Sequence, residues 1–103
     1  MQDRGVEVRA FRGTRRSSVY RAHSVGGGEA DRIRAAAAAL GLALLAALAP
    51  GDLDKRDARR LADELTRLRA SATLLERDDD LTALAEVASW CARANGRAWL
   101  RVS

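Results

Sequence analysis

The chain is poor in several residue types, and each shortage removes a class of explanation. One cysteine, Cys91, excludes an intramolecular disulfide and suits a reducing compartment, so a cytoplasmic location is expected. One histidine, His23, beside that single thiol cannot complete a Cys/His zinc site. The apolar run at 35–49 is 15 residues long, short of the roughly 20 that cross a bilayer. It reads as a buried helix, and no membrane partner is expected. The polar, charged N-terminus offers no signal segment. Proline occurs once, at Pro50, and the aromatic residues are Phe11, Tyr20, Trp90 and Trp99. Lysine also occurs once, at Lys55, against seventeen arginines, a usage expected of a GC-rich bacterial genome.

What remains is an alanine- and leucine-rich chain of 103 residues, nearly half apolar. That length predicts one domain spanning 1–103 with a modest core. The net charge is +4. Its placement matters more than its size. Residues 1–25 hold six arginines against Asp3 and Glu7, whereas 26–103 balance with twelve basic and twelve acidic residues. The whole excess lies on the N-terminal segment.

Val6, Val8 and Ala10 alternate with Glu7, Arg9 and Phe11, the period of a half-buried strand. A polar turn at 13–16 leads to a second strand at 18–25, making a basic β-hairpin over 1–25. Three glycines, Gly26 to Gly28, break that strand. A first helix is then expected over 29–49, with Glu29 and Asp31 favoured by the dipole of its first turn. Pro50 and Gly51 end it.

A second helix is expected over 53–76. Its seam is Ala58, Leu61, Leu65, Leu68, Ala72 and Leu75, spaced 3 and 4 apart. A third, over 79–95, opens on Asp78, Asp79 and Asp80 and carries Leu81, Leu84, Ala88 and Cys91 inward. Asn95 and Gly96 signal its end. Alternation at 98–102 reads as a last strand able to join the hairpin. The expected fold class is α+β: two layers, a small antiparallel sheet packed on three α-helices.

The chemistry-bearing residues form no convincing constellation. The glycines at 26–28 lack both phosphate-loop patterns, and Glu29 and Asp31 would repel an anion there. His23 has no orienting group suggested by spacing, and Ser24 points to the opposite face of the strand. Cys91 sits on a core stripe, where a thiol is inert. The three aspartates lack the spacing, glycine and terminal glutamate of an EF-hand loop. No catalytic residue, metal ligand, cofactor or small-molecule substrate is therefore assigned.

Two surfaces stand out. The hairpin arginines Arg9, Arg12, Arg15, Arg16 and Arg21, with Phe11 and Tyr20 nearby, suit an acidic protein or a nucleic acid, the plain alternative being a solvated turn in an arginine-rich chain. On a helical wheel the third helix carries a second apolar face with Trp90, Val87 and Ala94, and Leu42 and Leu45 point away from the main face of the first helix. Burial between the other helices and the sheet would account for both faces. The alternative is contact with another protein or a second copy, with Trp90, Val87, Arg93, Leu42 and Leu45 at the contact. The expected function is a non-enzymatic cytoplasmic interaction module, such as an adaptor, a regulator or an immunity- or antitoxin-like inhibitor. Nucleic-acid binding through the hairpin is the alternative.

Overall fold

The computed structural model describes residues 5–12, 19–71 and 78–103. The hairpin tip with Arg15 and Arg16, and the expected end of the second helix with Ala72 and Leu75, lie outside the described residues. The described elements run β1 (Val6–Arg12), β2 (Val19–Val25), α1 (Gly27–Ala39), α2 (Ala43–Ala46), β3 (Gly51–Leu53), α3 (Lys55–Ser71), α4 (Asp78–Arg93) and β4 (Ala98–Val102). The fold is α+β, as expected, but its sheet has four strands in the order β2-β1-β4-β3.

Every pairing is antiparallel. β1 and β2 pair from Val6 with Val25 to Ala10 with Arg21; the register then slips so that Phe11 faces Val19. The slip leaves Tyr20 as the extra residue of a bulge. At the other end Gly5 approaches the Val25 carbonyl so closely that a Cβ would overlap it. β4 lies on the far side of β1, Trp99 opposite Phe11 and Arg101 opposite Arg9.

The expected helix over 29–49 is two helices. Leu42 N–H donates to Ala37 O at 2.9 Å and Gly41 N–H to Ala38 O at 3.1 Å. These are the two bonds of a Schellman motif, and Gly41 takes the left-handed φ of +73° that it requires. The chain therefore turns at Leu40. α2 starts in a new direction, and a wheel drawn through 29–49 mixes two axes. Leu42 is 6% exposed and Leu45 0%. Both are core side chains of this one chain, which corrects their expected place on a contact surface. Ile33 is buried with them, whereas Leu40 stands exposed.

β3 is a second correction, because a helix was expected to begin at 53. Instead Gly51–Leu53 adds to β4, and Arg101 Nε donates to Asp52 Oδ1 at 2.9 Å across the strands. Asp54 then caps α3, its Oδ1 accepting from Asp57 N–H at 2.8 Å. The α3 seam Ala58, Leu61, Leu65 and Leu68 is buried, and so are Leu81, Leu84, Ala88 and Cys91 of α4. α4 packs on α3 and on β1 and β2. Val87, from the second apolar face, is thereby 4% exposed, while Ala83 and Trp90 of that face stay half-buried. Val87 too belongs to the core rather than to a free surface.

Candidate functional site

Two of the described hairpin arginines are engaged within the chain. Arg9 Nε donates to Glu7 Oε1 at 2.5 Å, and Ser24 Oγ donates to Glu7 Oε2 at 3.2 Å. Arg12 Nε donates to the Asn95 carbonyl at 3.1 Å. Arg21 is exposed. Register places it with His23 on the helix side of the sheet, while Arg9 lies on the open side. The described arginines therefore do not share one face.

His23 has a partner that spacing did not suggest. Its Nε2 lies 2.8 Å from Asp80 Oδ1, in the first turn of α4. The two are 57 positions apart, so only the folded packing of α4 on β2 brings them together. The pair is a tie between sheet and helix. The one thiol of the chain, Cys91, lies 11 residues further along α4, about 16 Å away. Burial pushes the Cys91 thiol up from 9.0 to about 11, with Lys55 opposing and Asp54 assisting. A thiol so held is a poor nucleophile at neutral pH. Among the described residues no group of three or more His, Cys, Asp or Glu side chains is placed to hold a metal ion. Among them also, no helix is long and apolar enough to cross a membrane.

Of the expected contact residues, Trp90 and Arg93 remain at the surface. Trp90 is half-buried against the core and Arg93 is exposed. They lie one turn apart on α4.

The feature that sequence reasoning missed is a groove where β3 runs into α3 and β4 begins. It is an open concavity of ≈ 1010 Å³ with charged walls and Trp99 at one side. Trp99 stacks on Phe11, ring centroids 5.3 Å apart and planes 10° apart. The stack explains why Phe11, at a position that alternation would expose, is 3% exposed. The guanidinium of Arg97 lies over the Trp99 ring, 6.0 Å from its centroid, at the outer limit of a cation–π contact.

The groove's charges divide into engaged and open groups. Asp52 binds Arg101, and Asp54 caps α3. Lys55 Nζ donates to the carbonyls of Ala94 at 2.5 Å and Gly96 at 3.0 Å. Arg56 and Arg97 are exposed, and no described carboxylate pairs with either, while the Asp57 carboxylate lines the same groove. An enclosed apolar pocket for a small ligand has a different character. The signal for this site was present in Arg97 and Trp99, but its second wall comes from the unexpected β3.

No family model, curated protein or solved structure matches the chain.

Proposed function

We propose that the chain is a non-enzymatic protein-interaction module of the cytoplasm, and that it docks an acidic segment of another protein in the groove beside Trp99. One observation carries the reading: Arg97 lies over a tryptophan that is itself stacked on Phe11, at the mouth of a groove that also presents the open guanidinium of Arg56. Tryptophan and arginine are the residue types that dominate binding hot spots. A tryptophan fixed by stacking loses little freedom when a partner covers it. An acidic side chain would pair with Arg56 or Arg97, and an apolar neighbour would cover the indole.

The reading is favoured over nucleic-acid binding by the described hairpin. Arg9 is charge-paired with Glu7 and Arg12 is tied to the Asn95 carbonyl, which leaves fewer mobile guanidiniums for phosphates. The test is retention of protein partners from a lysate with and without nuclease treatment. Native protein is compared with Trp99→Ala and with Arg97→Glu. A partner held by the native chain and lost by both variants is the expected result. The same retention by all three overturns the groove. Retention that disappears with nuclease treatment favours nucleic acid instead.

A further inference from the structure

We propose that two copies of this chain join edge to edge through β2, antiparallel, with Ala22 on the two-fold axis. β2 is an edge strand of seven residues, Val19–Val25, bonded on one side to β1. Among the described residues no other backbone pairs with its outer side. Such an edge is a template for a further strand, and proteins blunt it with proline, lysine, bulges or brevity. The opposite edge, β3, is blunted in this way, with three residues directly after Pro50. The stretch Arg21 to Val25 contains no proline or lysine, and the bulge lies beyond it at Tyr20.

The identity of the occupant follows from self-complementarity. Ala22 is the central residue of the strand, small and exposed. In an antiparallel self-pairing it meets its own copy, and Arg21 meets the partner's His23. Directly opposed residues lie on one face. Arg21 is exposed and, among the described residues, without a partner. His23 holds Asp80 at 2.8 Å, with exposed Asp79 beside it. Each guanidinium therefore arrives next to the carboxylates that open the other copy's α4, and the contact is made twice by symmetry.

The helices agree with this pairing. α4 lies over β1 and β2, whereas α3 lies over β3 and β4. Joining two β2 edges sets the two α4 axes about 10 Å apart, since strands are spaced about 4.8 Å, and that is a helix-packing distance. Asp80 reaches β2 through His23, and fully buried Leu81 and Ala88 lie round the helix from it. At about 100° per residue, Ala83 and half-buried Trp90 fall on the opposite flank, toward the β2 edge. A second α4 would cover them.

The pairing does not rest on the groove beside Trp99, which lies at the other side of the sheet, so either proposal can fail alone. The test is sedimentation velocity across two decades of concentration, with circular dichroism as the folding control. The native chain is expected to be a dimer. Ala22→Lys sets two like charges face to face and is expected to raise the dissociation constant about tenfold or more. A native monomer at every concentration overturns the proposal, and so does a dimer that Ala22→Lys leaves intact. Should Ala22→Lys lose its helical signal, Ala22→Cys decides. Opposed Cα atoms about 4.5–5.5 Å apart lie within disulfide reach. A covalent dimer on mild oxidation supports the pairing, and its absence overturns it.

Discussion

Glu64 and Leu45 meet between two helices: the buried carboxylate of one accepts the amide of the other at 2.8 Å. The second carboxylate oxygen receives Leu44 N–H at 3.4 Å and Arg60 Nε at 3.1 Å. A side chain of α3 thus caps the four-residue α2, a helix too short to hold itself.

Removing that carboxylate strands the buried Leu45 amide. Glu64→Ala is expected to cost about 2–3 kcal/mol, as an unsatisfied buried donor does. Glu64→Gln keeps an oxygen for Leu45 and should cost only about 1 kcal/mol. Urea unfolding at neutral pH measures both. Equal losses would show that the charge, not the cap, is what matters.

Gly41 and Gly28 predict opposite signs for one substitution. Gly41→Ala forces a Cβ onto a residue at φ +73° and is expected to cost about 1 kcal/mol. Gly28 lies inside α1, and a Cβ there meets nothing within 4 Å. Gly28→Ala is expected to stabilise by about 0.5–1 kcal/mol. Thermal melts of the two variants should move in opposite directions.

Cys91 should make stability fall in alkali. Its pKa is about 11 in the folded chain against 9.0 otherwise, so the unfolded chain loses the proton first. The favourable contribution is whole below pH 9 and is lost as pH rises to about 11, an effect of about 3 kcal/mol at most. Cys91→Ala removes this component of the alkaline slope. Maleimide should label the native thiol far more slowly than the unfolded one, and rapid native labelling would contradict its burial.

The elements most legible in the sequence were those with a mixed pattern. Charged residues flank the seam from Ala58 to Leu68, so its 3-4 spacing stands out, and the same holds for Leu81 to Cys91. The stretch from Ala35 to Ala49 is apolar almost throughout, and periodicity has no contrast there. Gly41 carried the only break signal, and it looked like one more small residue. β3 is three residues long, too short for any period, and exists because β4 offers it an edge. Glu64 stands four positions after Arg60, the spacing of an ordinary surface pair. Its burial depends on α2, which the uninterrupted helix had erased. His23 with Asp80, and Phe11 with Trp99, are joined only by tertiary packing, across intervals that carry no local signature.

The single lysine has a consequence for how this protein could be modified. Lys55 Nζ is bound to the Ala94 and Gly96 carbonyls, where it closes the end of α4 onto the turn into β4. Arginine keeps its charge at any physiological pH. Acetylation, which tunes the surface charge of many proteins through their lysines, would find here one ε-amine, already committed to holding the turn. Acylating it would loosen the join between helix and sheet and leave all seventeen guanidiniums untouched. The rate at which an amine-reactive reagent modifies Lys55 is accordingly a clock for local opening at that corner, and Lys55→Met should speed exchange of the Ala98 to Leu100 amides.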